Sequence, residues 1–187
     1  RSFGIYKFSS TGNPSVITQL KLNSYPENIS ITSNAEGSSE FLISGNSFDG
    51  LSIISYQNSN LKEKKISVNR SFQNAQFIDI NSDGFEDIAA LNSIENKLHL
   101  FFNNSRNDFS ELRYLNIRAD VLSMKVFDIN YDQFKDIIVS TSSGIIIYFG
   151  DATASFNKSA EIKTSYSVDN FIIGDFNRDG FFDINYI

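Results

Sequence analysis

The sequence predicts an all-β fold of four-stranded antiparallel blades, and three observations predict it. An acidic motif returns at a near-constant spacing, each return is flanked by short runs rich in β-branched and aromatic residues, and helix formers are scarce. The motif reads DINSDGFEDI at 79–88, DINYDQFKDI at 128–137 and DFNRDGFFDI at 175–184. Its first aspartates, Asp79, Asp128 and Asp175, are spaced by 49 and 47 residues. A step of 47 back from Asp79 reaches Thr32 and a degraded copy, TSNAEGSSEF, with Asn34, Glu36, Gly37 and Glu40 in phase. The chain thus holds about four repeats of ~48 residues.

Taken in order, the chain opens with RSFGIYKF and SVITQLKL, which match the third and fourth strands of a repeat. The first full copy gives ENISIT, EFLISG, LSIISYQN and KKISVN. The second gives NAQFIDI, DIAALNS, KLHLFFNN and FSELRYLNI, and the third MKVFDI, DIIVSTS, GIIIYFG and SAEIKT. The chain closes with NFIIGDF and DINYI, which match a first and a second strand. Four strands per repeat at a period in the forties is the signature of a β-propeller blade. Blades are expected at 24–69, 70–117 and 118–164, with a fourth split between the termini as 165–187 plus 1–23.

The split has a matching register. From the last aspartate of the loop to the final aromatic of the third strand is 13 positions in one copy (Asp136 to Phe149) and 15 in another (Asp87 to Phe102), against 12 from Asp183 to Phe8 through the junction. Completion within one chain, completion between chains, and a segment of a longer array all remain open readings.

Composition narrows the function classes. With 187 residues, 41% hydrophobic and 14% aromatic, the chain can bury a sizeable core. There is no cysteine, so disulfides, thiolate metal sites and a cysteine nucleophile are excluded. No apolar run approaches the length needed to cross a bilayer and no leader pattern precedes the repeats, so no membrane insertion is expected. A formal charge of −6, with KEKK at 62–65 as the densest basic run, argues against nucleic acid. Nine of the fourteen aspartates fall in the three loops, so the acidity is local. The single histidine, His99, lies in KLHLFF opposite Leu98 and Leu100, where alternation predicts a partly exposed strand residue rather than a catalytic base. With no Ser, His and Asp constellation either, no enzyme is expected; an accessory domain of a secreted enzyme is the residual enzymatic reading.

The spacing D-x-[DN]-x-[DN]-G-x-x-D sets oxygen side chains at positions 1, 3, 5 and 9 of a curled loop, with the carbonyl of position 7 pointing inward. A hard cation that takes six to eight oxygens at 2.3–2.6 Å suits this set, which makes Ca²⁺ the expected occupant at about three sites. Magnesium demands a stricter octahedron, and softer metals would want cysteine and histidine. The expected ligands are Asp79, Asn81, Asp83, the Phe85 carbonyl and Asp87 in the first site. In the second they are Asp128, Asn130, Asp132, the Phe134 carbonyl and Asp136, and in the third Asp175, Asn177, Asp179, the Phe181 carbonyl and Asp183. Ile80, Ile129 and Phe176 at position 2, and Ile88, Ile137 and Ile184 at position 10, are expected to anchor each loop in the blade core. Gln133 replaces the glycine of the other two loops, so weaker binding or an altered geometry is expected there. A single such loop could be an Asp- and Asn-capped turn; three in phase favour a cation cage. The copy at 32–40 lacks the acidic opening and is expected not to hold an ion. Three Ca²⁺ would bring the formal charge near zero and favour the folded state by mass action.

The loop and the strand that follows it resemble the FG-GAP or VCBS-type repeat of integrin α-subunit propellers and many secreted bacterial proteins. The resemblance spans essentially the whole chain as four copies, three with strong motifs. It implies a propeller with calcium between the first and second strands, an extracellular or cell-surface setting, and adhesion or recognition of a protein or glycan partner. Such propellers usually have seven blades, and this chain has material for four. An alternative follows from the split blade: a structural subunit, a homo-oligomer or filament, in which neighbouring copies complete one another into a ring, fibre or tube. Four N-x-[ST] sequons, at Asn28, Asn69, Asn103 and Asn157, are permissive of secretion.

Overall fold

The computed structural model describes residues 1–33, 38–103 and 108–187. Among them are sixteen strands and no helix, and hence no helix long and apolar enough to cross a membrane. The chain divides into two compact units, Arg1–Ala75 and Gln76–Ile187.

In the first unit, β1 (Ser2–Phe8) and β2 (Pro14–Lys21) form a two-stranded sheet. Strands β3 (Asn28–Ser33), β4 (Ser39–Ser44), β5 (Leu51–Gln57) and β6 (Asn60–Ser67) follow as a four-stranded meander in sequence order. Phe3 and Leu22 pack on Ile43, Phe48 and Ile54, with Ile5, Leu20, Phe41 and Leu61 around them.

β7 (Asn74–Ile78) begins just before the boundary and leads into the second unit as the first strand of a meander with β8 (Asp87–Asn92), β9 (Lys97–Asn103) and β10 (Phe109–Asn116). A second meander comprises β11 (Val121–Phe127), β12 (Asp136–Thr141), β13 (Gly144–Phe149) and β14 (Lys158–Lys163). The final pair, β15 (Phe171–Gly174) and β16 (Asp183–Tyr186), is two-stranded. These are antiparallel blades of β-propeller type, with turns too short to permit any other connection.

Strands β8 and β12 are buried along their whole length, while β14 is largely exposed. The cause is face-to-face stacking. Ala89, Leu91, Leu98, Leu100 and Phe102 of one sheet pack on Val121, Met124, Ile137 and Val139 of the next. The opposite face of that next sheet sets Ile138, Ile145 and Ile147 on Val168 and Phe171. A strand covered on both sides loses its alternation, which is why IIV in β12 reads as a continuous apolar run. A polar clasp joins the same two sheets: the Gln76 amide donates to the Met124 carbonyl (2.9 Å) and accepts from the Val126 N–H (3.0 Å).

The reading of His99 as partly exposed is corrected: the residue does lie opposite Leu98 and Leu100, but its own face, shared with Ala90 and Phe101, is buried as well, and His99 is 1% exposed. It lies 6.4 Å from the Phe101 ring and 6.3 Å from Tyr114, with Glu95 at 3.7 Å.

Candidate metal centre

Each loop is the hairpin between the first and second strand of a sheet. In the sheet β11–β14 Phe127 pairs with Asp136, and in the last sheet Gly174 pairs with Asp183, leaving eight residues between each pair. The chain curls within those eight residues through two left-handed positions. Position 4 is Ser82 (φ 57°), Tyr131 (φ 62°) or Arg178 (φ 64°), and position 6 is Gly84 (φ 85°), Gln133 (φ 76°) or Gly180 (φ 89°). Gln133 therefore adopts the glycine conformation rather than altering the loop.

The side chains repeat as closely as the backbone. Asp79 Oδ1 and Oδ2 accept the N–H groups of Asp83 (3.1 Å) and Gly84 (3.0 Å). Asp128 does the same for Asp132 (3.2 Å) and Gln133 (3.0 Å), and Asp175 for Asp179 (3.1 Å) and Gly180 (3.0 Å). The position 3 amides, Asn81, Asn130 and Asn177, accept from the position 5 N–H and donate to the position 5 carboxylate at 2.8–2.9 Å. Asp83, Asp132 and Asp179 in turn accept from the N–H of Phe85, Phe134 and Phe181.

Position 9 is different, because it begins the buried second strand. Asp87 and Asp136 are both 0% exposed. Asp87 accepts from Ile80 N–H (3.0 Å) and Asn103 N–H (2.6 Å), and Asp136 from Ile129 N–H (2.9 Å) and Gly150 N–H (2.9 Å). Asn103 and Gly150 each directly follow the last aromatic of the third strand. These backbone donors were not foreseen from the sequence, since a backbone group leaves no residue-type signal. Burial pushes the Asp87 carboxyl up to about 6; the two N–H bonds work against that rise, and Asp83 and Asp79 add to it. Asp136 is raised for the same reasons, burial first, with Asp132 and Asp128 adding. Asp183 accepts from Phe176 N–H (3.0 Å) and, at 3.4 Å, from Asn177 N–H. Its sheet has only two strands, so no third strand supplies the other donor.

The hydrophobic anchors divide likewise. Ile80, Ile88 and Ile137 are buried, and Ile129 and Ile184 are partly buried against the neighbouring core. Phe176 is 52% exposed, contrary to the anchoring expected of it: no element of the described residues packs over it.

None of the nine loop carboxylates is ion-paired to a lysine or arginine among the described residues. As the side chains stand, no three Asp, Glu, His or Cys groups among the described residues converge to hold a metal, since the carboxylates are turned onto loop N–H groups. The donor chemistry nevertheless suits a hard cation. Each carboxylate has about four acceptor sites, and the bonds above occupy two at positions 1 and 5, so lone pairs remain on every loop after side-chain rotation. The copy at 32–40 differs: Thr32 pairs with Glu40 and Ser33 with Ser39, so five residues lie between the innermost paired positions where the hairpins of β11–β12 and β15–β16 leave eight. Position 9 thus pairs with position 1 rather than with the residue before the loop, and the expected Asn34, Glu36 and Gly37 positions lie outside the described residues.

The FG-GAP-like repeat profile matches twice, at residues 79–139 and 128–184. The chain belongs to the FG-GAP-like repeat family. No curated protein sequence matches it. Among similar solved structures is BBS1N in complex with ARL6DN, soaked with lead, at 12% identity and a TM-score of 0.65, with 92% of this chain and 50% of that one covered. Another is a protein provisionally assigned as a gluconolactonase, at 12% identity and a TM-score of 0.55, with 95% and 65% covered. The chain thus spans half of the first structure and less than two thirds of the second. At these identities the likeness is one of fold.

Proposed function

We propose that the chain is a calcium-stabilised, extracellular binding module whose propeller blades present loops to a protein or glycan partner. The observation that carries this reading is the near-identity of three loops. Each places the oxygens of positions 1, 3 and 5 on an exposed or half-exposed turn with no lysine or arginine paired to them among the described residues. Asp79, Asn81, Asp83, the Phe85 carbonyl and Asp87 would hold one ion, and the matching residues of the other loops the second and third. A bound Ca²⁺ supplies positive charge where carboxylates otherwise repel, and so binds the folded chain preferentially.

Recognition is supported by aromatic side chains at the loop tips. Phe85 (44%), Tyr131 (53%) and Phe181 (70%) are exposed beside the acidic residues, and Tyr131 stacks on Phe182 at 4.6 Å. FG-GAP-like repeats are typical of extracellular or surface proteins, and one of the similar folds is in complex with another protein. A binding role is favoured over catalysis because the single histidine is buried and the clustered carboxylates are committed to the loops.

Thermal melting with millimolar Ca²⁺ and with a chelator tests the metal. The melting temperature should rise with Ca²⁺, and calorimetric titration should lose one equivalent in each of Asp79→Ala, Asp128→Ala and Asp175→Ala. Identical melting in both buffers would sink the calcium reading. Binding to a glycan array in Ca²⁺, lost in chelator, tests recognition separately.

A further inference from the structure

Aromatic rings join the second acidic loop to the third. Tyr131, at position 4 of the second, stacks on Phe182, at position 8 of the third, with ring centres 4.6 Å apart and planes 20° off parallel. Phe127, the residue before the second loop, meets the same Phe182 ring edge-on at 4.6 Å. Phe127 in turn packs against the core of Ile138, Ile145 and Phe171, so the stack is fixed at its base. The first and second loops have no counterpart: the corresponding residues are Ser82 and Lys135, neither of which carries a ring.

Each ring stands between proposed cation donors. Tyr131 separates Asn130 from Asp132, at positions 3 and 5, and its backbone is left-handed (φ 62°), a conformation that a residue with a side chain adopts only at a cost. Tyr131 is 53% exposed on an exposed turn, so the Phe182 ring steadies that turn from the neighbouring hairpin. Phe182 likewise separates Phe181, whose carbonyl is the position 7 donor, from Asp183 at position 9. A loop whose neighbour is already ordered loses less freedom when it closes on a cation.

We infer that Phe182 is a positioning residue for the second loop and Tyr131 for the third, so that a cation in either loop raises the affinity of the other while the first loop binds independently. The inference rests on the calcium reading of the loops and goes beyond it by making two of the three sites a linked pair. The brace also offsets the missing glycine of the second loop, where Gln133 takes the left-handed position. Charge alone predicts the reverse sign, because filling one acidic loop makes its neighbour less attractive to a second cation, the more so as salt falls. The sign of the coupling therefore separates ring packing from charge.

Calorimetric titration of the 187-residue chain with Ca²⁺ at about 0.15 M salt tests this, at an ionic strength that screens exposed charges. Asp79→Ala with Asp175→Ala leaves the second loop alone, Asp79→Ala with Asp128→Ala the third alone, and Asp79→Ala the pair. The overall constant of the pair should exceed the product of the two single constants by about 2- to 10-fold, the range that one ring pair supplies. The same comparison for the first and second loops, in Asp175→Ala, should give a factor of one. Phe182→Ala should reduce the factor of the linked pair to one, and Phe182→Tyr, which keeps a ring, should retain it. A ring that only stabilised its own hairpin would change the third loop's constant and leave the factor in place. Tyr131→Ala removes the same stack from an exposed position, and circular dichroism checks that both variants fold. Absence of any Ca²⁺ binding would overturn the calcium reading and this inference together. Binding with a factor of one or less, or a factor that survives both ring deletions, would overturn the inference alone.

Discussion

Asp136 Oδ1 accepts the N–H of Gly150 at 2.9 Å while its Oδ2 accepts that of Ile129 at 2.9 Å, so one buried carboxylate ties the start of a loop to the end of the third strand. Its removal strands two donors. An unsatisfied buried donor costs about 1–3 kcal/mol. Asp136→Ala should therefore lower stability by roughly 3 kcal/mol in chelator, with Asp132→Ala, on the exposed turn, losing about 1 kcal/mol. Urea unfolding measures both; equal losses would show that position 9 is not a structural clasp.

Gly84 and Gln133 share one backbone conformation, at φ 85° and 76°. A Cβ on Gly84 would meet nothing within 4 Å, so its replacement is penalised by conformation alone. Gly84→Ala should destabilise by about 1 kcal/mol, and Gln133→Gly should stabilise by up to about 1 kcal/mol once the added freedom of the unfolded chain is offset. Thermal melts in chelator separate these signs, and a loss in Gln133→Gly would mean that the glutamine side chain itself holds the turn.

Asp151 lies between β13 and β14 and is held by the hydroxyls of Ser155 and Thr153, which lower its carboxyl from 3.8 to about 2. A carboxylate depressed on folding stabilises above its unfolded value, and that contribution disappears as the pH falls through the folded one. The gap in urea midpoint between the unaltered chain and Asp151→Asn should be full at about pH 5 and close towards about pH 2. A gap that stays constant over this window would mean that shape, not charge, holds the loop.

The order of strands and the position of each loop were legible in the sequence because both depend on local chemistry. Alternation and β-branching mark the strands, and aspartate, asparagine and glycine mark the hairpins. What could not be read belongs to neighbours. His99 was placed on the correct face, but that face proved covered, since burial is decided by whatever packs over a strand. Phe176 is expected to anchor and does not, for the opposite reason: among the described residues no element packs over it. The Asn103 and Gly150 donors escaped notice because backbone N–H groups carry no residue signature. The shift in the copy at 32–40 is equally silent, because a step of 47 residues fixes the position of the loop but not which residues of its two strands pair.

The concentration of acid in the three loops also divides the molecule electrically. They hold nine aspartates, yet the formal charge of the whole chain is only −6, so all residues other than those aspartates together carry a net +3. Tyr131 of one loop stacks on Phe182 of the next, so the second and third of these negative turns lie side by side. If the loops take divalent ions as proposed, the negative charge there would be erased or inverted while the positive residues stay untouched, and the attraction or repulsion felt by an approaching charged surface would follow the salt and calcium around it.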